Sequence, residues 1–318
     1  MKKYLTIFAT IGLLLSCGEA AKIDIPATSI SLDQNSVTLF SGESFTLSAT
    51  ILPENTTSLI EWQSSDESVV TVTEGVVSAI AEGKATISAQ AGSVKAECEF
   101  IVKKAVLAEA VDLGLSVKWA SFNVGADSPE KFGDYFAWGE TEPKEWYGWD
   151  NYRWYNKEQN GFTKYCPYLE YWAGTGSPDG KSSFSQYNYE DDAATFNWGK
   201  GWRTPSEKEW EELRTQCSWK WTTQNGVPGQ KVTSKKTGYK DKSIFLPAAG
   251  CWEEKKIYYV EEYGMYWSSV VSLKTNDSYF DYPGSSWSFV FNARDVYSGP
   301  DAARRSGCSI RPVYVGSE

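Results

Sequence analysis

Residues 82–102 read Glu82-Gly83-Lys84-Ala85-Thr86-Ile87-Ser88-Ala89-Gln90-Ala91-Gly92-Ser93-Val94-Lys95-Ala96-Glu97-Cys98-Glu99-Phe100-Ile101-Val102, and this stretch decides the fold of the N-terminal part. Ala85, Ile87 and Ala89 alternate with polar residues. So do Val94, Ala96, Cys98, Phe100 and Val102. A period of two puts every second side chain on one face of a strand, so two strands with a buried face are predicted, turning at Ala91-Gly92. Working outward, Phe45, Leu47, Ala49 and Ile51 show the same alternation. Turn signals at Ser41-Gly42, Glu74-Gly75 and Glu82-Gly83 recur at the spacing of short strands. Residues 27–103 are therefore predicted to form an all-β sandwich, with Trp62 and Cys98 in its core.

The same residues resemble the bacterial Ig-like domain of group 2. The resemblance is carried by Trp62 followed by Ser64-Ser65-Asp66, by Val70-Thr71-Val72, by Gly75-Val76-Val77-Ser78-Ala79 and by Gly83 to Ala89. It implies a stalk or spacer in a surface protein.

After it, residues 104–110 form a linker without Gly or Pro, which predicts a semi-rigid connection. Residues 111–318 change character. Of the 15 tryptophans only Trp62 precedes Val111, and nearly all tyrosines follow it. Part of this aromatic mass builds a core, and the excess predicts rings at the surface. A hairpin is expected over 111–120 through Asp112-Leu113-Gly114, and a strand over 133–139. A helix start is read at Thr204-Pro205-Ser206-Glu207, with Thr204 as cap. A turn is expected at Asn225-Gly226. Further strands are expected over 244–249, 266–270, 287–291 and 310–315.

This second part is similar to the FISUMP family (Fibrobacter succinogenes major paralogous domain). The matching residues run in order: Val111 to Leu115 with Lys118-Trp119-Ala120, Asn123 to Ala126, Gly133 to Glu140, Gly201 to Ser206 with Glu209-Trp210, Ser243 to Gly250, Tyr266 to Ser269, and Gly307 to Val313. The segment 146–189 fits less well and reads as an insertion. The similarity implies a C-type-lectin-like or formylglycine-generating-enzyme-like fold. The predicted fold class is thus multidomain: an all-β Ig-like sandwich followed by an α+β C-type-lectin-like domain.

At the start, Lys2 and Lys3 precede an apolar run from Tyr4 to Leu15, shorter than the ~20 residues of a spanning helix. Leu14-Leu15-Ser16-Cys17 resembles a lipobox. Residues 1–17 are read as a lipoprotein signal peptide with lipidation at Cys17, and 18–26 as a linker. An ordinary signal peptide cut near Ala20-Ala21 is the alternative. The lipoprotein reading places the protein in the outer membrane, lipid-anchored and facing the exterior.

The 318-residue chain has no histidine and a formal net charge of -10. The first fact removes histidine-based catalysis and histidine-ligated metals. The second argues against nucleic acid as a partner. No cofactor, metal or catalytic residue is expected, and the protein is read as a binder rather than an enzyme. Glu142-Pro143-Lys144 half resembles the Glu-Pro-Asn triplet of sugar-binding lectins, but lysine removes a calcium ligand. Asp191-Asp192, Glu253-Glu254 and Glu261-Glu262 are read as solvated surface rather than hydrolytic pairs, with Asp191-Asp192 beginning a helical turn. Arg203 and Arg311 are read as structural clamps. Cys251 and Cys308 are too far apart in sequence for a redox motif on one loop. Cysteines 166, 217, 251 and 308 permit one or two bridges of unassigned connectivity.

Two polar, aromatic stretches, 273–286 and 292–306, separate the closing strands. Tyr279, Tyr282, Trp287, Arg294, Asp295, Tyr297, Asp301 and Arg304 are the candidate ligand-binding residues. Rings joined by small polar residues and Arg are what adaptable binding surfaces use, and in C-type-lectin-like proteins this region commonly forms the ligand face. The expected partner is a glycan or a surface protein. A component of a surface adhesin or fimbria-like assembly and a carbohydrate-active enzyme are the rival readings.

Overall fold

The computed structural model describes residues 24–104, 108–166, 169–174, 177–184, 190–271 and 284–316. The chain divides into two compact units, Met1–Lys104 and Ala105–Glu318.

The first unit holds β1 (Ser29–Leu32), β2 (Ser36–Phe40), β3 (Ser44–Thr46), β4 (Ala49–Leu52), β5 (Glu61–Ser64), β6 (Val70–Thr73), β7 (Val76–Ala79), β8 (Gly83–Ala91) and β9 (Val94–Lys103). They form sheets in the orders β2-β9-β8-β5, β3-β7-β6 and β1-β4. Only the β2–β9 pair is parallel among these. The alternation in β8 and β9 lays Ala85, Ile87, Cys98, Phe100 and Val102 into one core with Leu39, Leu47, Val70 and Val77, and Trp62 packs against it. Removing each large apolar side chain from water stabilises by about 1.5–3 kcal/mol. The 45–51 run is not one strand. It breaks at Leu47-Ser48, where Ser48 exchanges hydrogen bonds with Asp33, and its halves join different sheets. Between β6 and β7, Glu74 and Gly75 both take positive φ, 51° and 81°. A Cβ on Gly75 would lie 2.6 Å from the Leu47 carbonyl oxygen, so the close turn requires glycine.

The second unit is mostly β, with few short helices among many short strands, as the sequence pattern predicts. It holds β10 (Ala110–Val111), β11 (Lys118–Ala120), β12 (Tyr155–Asn156), β13 (Gly161–Phe162), α1 (Ala193–Trp198), β14 (Trp202–Arg203) and α2 (Glu207–Gln216). There follow β15 (Cys217–Gln224), β16 (Val227–Ser234), β17 (Ser243–Pro247), β18 (Cys251–Glu253), β19 (Lys256–Tyr258), β20 (Gly264–Val271), β21 (Ser285–Phe291), β22 (Val296–Ala303) and β23 (Val313–Tyr314). The sheets run β10-β11-β23-β14, β15-β16-β17 and β20-β21-β22, with two-stranded β12-β13 and β18-β19. Asn225-Gly226 is the two-residue turn of β15–β16, both residues at positive φ. Residues 133–139 are not a strand; Phe136 alone bridges to Cys308.

The cap of α2 lies two residues beyond the expected one. Ser206 caps it and Glu209 returns a bond to the Ser206 N–H. Thr204 is unavailable, because its hydroxyl and N–H both donate to Asp192. Asp191 and Asp192 are buried, contrary to the solvated reading. Asp192 caps α1 and joins that helix to β14–α2. Burial pushes the Asp192 carboxyl up from its ordinary value, against the pull of the Thr204 and Ala194 donors.

The two clamps behave as read. Arg203 pairs with Glu209. Arg311, fully buried, donates to the carbonyls of Ala120, Ser121 and Phe245 and to the Asn123 side chain. Burial pulls its pKa down to about 10.

Candidate functional site

The face singled out in the sequence falls on the β21–β22 hairpin. Its turn is made by Asn292, whose Oδ1 accepts from the N–H groups of Arg294 (2.7 Å) and Asp295 (2.9 Å). The Asn292 carbonyl accepts from Gln230 Nε2 at 2.9 Å, which ties the turn to β16. Arg294, Asp295 and Tyr297 are exposed at this end. Trp287 is half-buried at a register shift between Ser286 and Ser288, where β21 faces Ala302 and Gly299. The backbone of Asp301 lies near it in β22. At ~3.3 Å per residue, the length of β22 puts the two groups at opposite ends of a ~25 Å strand. Tyr279, Tyr282 and Cys17 lie outside the described residues.

Arg304 is not a surface residue. It is 0% exposed, with its guanidinium carbon 4.8 Å from the centre of the Phe162 ring and 5.3 Å from that of Trp138. Among the described residues, none of its three side-chain nitrogens has a hydrogen-bond partner within bonding geometry. Burial lowers its pKa, with Tyr152 opposing. The described members of the set thus form no single cluster: Arg294, Asp295 and Tyr297 gather at the hairpin turn, Arg304 is core, and Trp287 stands apart with the Asp301 backbone.

The aromatic surplus gathers elsewhere, in the segment read as an insertion. Ala137, Tyr147, Tyr152, Phe162 and Cys166 form a core on which Tyr135, Trp149, Trp154, Tyr155, Tyr171, Trp172 and Trp252 pack while half-exposed. Tyr147 is a hub. Its hydroxyl donates to the Tyr135 carbonyl at 2.5 Å and accepts from the Lys144 N–H at 3.1 Å, and burial pushes its pKa up to about 12.

A cleft of about 220 Å³ is lined by Glu140, Thr141, Glu142, Lys144, Asn151 and Arg153. A one-turn helix, Trp149–Asn151, reverses the chain and brings Arg153 back beside Glu140. Asn151 fixes that turn by accepting from the Gly148 N–H and donating to the Trp146 carbonyl. Glu140, 5% exposed, accepts from the Arg153 N–H at 2.7 Å and pairs with Lys144 Nζ at 2.5 Å. Lys144 also donates to the Asn151 carbonyl at 2.5 Å. An ammonium therefore neutralises Glu140, where a divalent cation would need several converging oxygens. Among the described residues no group of three acidic or cysteine side chains is placed to hold a metal ion.

Two charged groups on the cleft have no ion pair among the described residues: the exposed carboxylate of Glu142 and the exposed guanidinium of Arg153. Arg153 lies 4.4 Å over the Trp154 ring, and the Trp154 indole donates to the Gly139 carbonyl. The cleft thus offers one unpaired carboxylate and one planar guanidinium stacked on the Trp154 ring. Sequence reading weighed Glu142 and Lys144 only as calcium ligands and missed Glu140, Asn151 and Arg153. The acidic pairs are otherwise employed. Asp191 pairs with Lys164 and accepts from the Tyr165 hydroxyl. Glu253 pairs with Arg305 at 2.6 Å, and Glu254, Glu261 and Glu262 are exposed.

Residues 26–100 match the family model of the bacterial Ig-like domain (group 2). Among solved structures, domains 4 and 5 of the S-layer protein SbsC are 20% identical over 24% of this chain and 51% of that one, with a TM-score of 0.22. This chain thus spans about half of that structure. Domains 1–6 of the same surface-layer protein are 12% identical over 66% of this chain and 22% of that one, TM-score 0.24. Domains 5–6 are 10% identical over 90% and 96%, TM-score 0.22. Likenesses this distant carry no argument about fold or role. No curated protein matches the chain.

Proposed function

We propose that the chain is a cell-surface lipoprotein whose second unit, lectin-like in its motifs, binds a glycan, with the Ig-like unit as spacer and Cys17 as the anchored residue. The observation that carries the binding reading is the cleft with Glu142 and Arg153 unpaired on it. A carboxylate and a guanidinium are planar groups that bond neighbouring hydroxyls two at a time. Glu140, Lys144 and Asn151 are already bonded to one another, so they hold the cleft in shape before a ligand arrives, which lowers the cost of binding. The volume is below the ~300–1,000 Å³ usual for drug-sized ligands, which suits a terminal sugar rather than an extended chain.

The test is a glycan array probed with the full chain. Selective capture of glycans sharing one terminal sugar supports the reading, and capture of none rejects it.

One observation favours a second reading, assembly with another surface protein. Among the described residues β22 lies at the edge of its sheet, with Tyr297 exposed. An open edge accepts a strand from a partner. Isolation of the chain from native membranes as part of a stable complex would favour this reading.

A further inference from the structure

Cys251 and Cys308 lie 57 positions apart in sequence (308 − 251), yet the fold sets them face to face. Trp252 and Gly307 exchange both backbone hydrogen bonds, at 2.8 and 2.9 Å, as an antiparallel pair. One step along the same ladder, Glu253 stands opposite Ser306, whose hydroxyl donates to it. One step the other way, Cys251 stands opposite Cys308. That position is a non-hydrogen-bonded pair, in which Cα atoms approach to about 4.5 Å with their side chains on one face. A disulfide needs Cα separations of about 4.4–6.8 Å. The backbone around both is fixed. Cys251 is held in β18 opposite Tyr258, and Cys308 exchanges hydrogen bonds with Phe136 on its other side. Both side chains belong to one apolar core and are 3% and 0% exposed. Burial, and after it the neighbouring Cys251 thiol, holds the Cys308 thiol well above its ordinary pKa. Cys98, Cys166 and Cys217 are also buried thiols, and Cys98 belongs to the first unit.

We propose that Cys251 and Cys308 form a cross-strand disulfide by exchange with a disulfide oxidant. In the reaction one thiolate attacks the oxidant disulfide and releases its first thiol. The second protein thiolate then attacks the mixed disulfide and releases the other. Two S–H bonds are lost and one S–S bond forms. Two electrons and two protons pass to the oxidant, which leaves as two thiols. The bond ties the segment leading to Arg311 and β23 to the β18–β19 hairpin. That hairpin carries Trp252 against Tyr147, 6.1 Å between ring centres. The inference stands independently of the ligand reading.

The test is oxidation of the folded full chain with oxidised glutathione, followed by alkylation in denaturant and mapping of peptides without reduction. The expected result is one linked pair joining the peptides of Cys251 and Cys308, a mass lower by about 2 Da, and alkylation of Cys98, Cys166 and Cys217. Because exchange must reach buried sulfurs, oxidation is repeated during refolding from denaturant, where access is open. The oxidised protein is expected to melt on the order of 5–10 °C higher than the reduced one. Cys251→Ser and Cys308→Ser each abolish the linked pair. Free Cys251 and Cys308 after both treatments, or either one linked to a different cysteine, overturns the proposal. The mapping uses the unaltered protein, so its outcome does not depend on the variants folding.

Discussion

Arg203 and Glu209 meet as a two-pronged ion pair, Nη1 to Oε2 at 2.8 Å and Nη2 to Oε1 at 2.5 Å. The same carboxylate receives the N–H and hydroxyl of Ser206, so one group closes the start of α2 and fastens it to β14. Burial alone would raise the Glu209 pKa, but Arg203 and Ser206 outweigh it and hold it below the ordinary 4.5. A carboxylate depressed in the folded state contributes stability that is complete above its unfolded pKa and lost as pH falls through the folded one. Denaturant titrations between pH 6 and 3 are expected to show stability falling below about pH 4.5. Glu209→Gln should be about 1–3 kcal/mol less stable at neutral pH and show a flatter acid limb. An acid limb identical to that of the parent would remove Glu209 from this role.

Arg304 is the opposite case, a guanidinium stacked on rings with no hydrogen bond among the described residues. An unpaired buried charge costs several kcal/mol, and an apolar side chain of similar volume avoids that cost. Arg304→Met should raise stability by about 1–4 kcal/mol, measured as a shift of the denaturant midpoint at constant slope. A drop in stability would mean that the rings hold the cation more tightly than burial penalises it.

Arg311 separates these effects because its donors are used. Arg311→Met leaves the carbonyls of Ala120, Ser121 and Phe245 without this donor inside the unit. Breaking such a buried set typically costs about 3–5 kcal/mol. Thermal melts are expected to show a large loss here and a gain for Arg304→Met. Equal effects at the two positions would contradict the distinction.

What could be read in the chain beforehand follows how local the deciding interaction is. Asn225-Gly226 was legible because a two-residue hairpin needs positive φ at both positions, and those residue types tolerate it. The alternation in β8 and β9 was legible for the same reason. The start of α2 was legible, but its cap was not. Thr204 and Ser206 each stand three residues before a glutamate, and the choice is made by Asp192, twelve residues upstream, which takes the Thr204 hydroxyl. Arg304 reads as loop in Ala303-Arg304-Arg305-Ser306, because the rings that bury it come from Trp138 and Phe162. The cleft was invisible for a similar reason. Glu140 and Arg153 become neighbours only when the turn at Trp149–Asn151 reverses the chain, and no periodicity marks that reversal.

The hairpin turn and the cleft make separate predictions. Tyr297 is 41% exposed, and its removal leaves the Asn292 turn intact. Tyr297→Ala is expected to leave glycan capture and melting temperature nearly unchanged, as read on the array and by calorimetry. Loss of capture with the fold intact would return the site to the β21–β22 hairpin.

The most direct measurement is titration of the full chain with its best array sugar, comparing the parent with Glu142→Gln and Arg153→Ala by calorimetry. Both side chains are exposed and without an ion pair among the described residues, so neither change should lower the unfolding free energy by more than about 0.5 kcal/mol. Each is expected to weaken binding about tenfold or more, the loss of one well-placed hydrogen-bonding group. Parent-like affinity in both variants would contradict the cleft as the binding site.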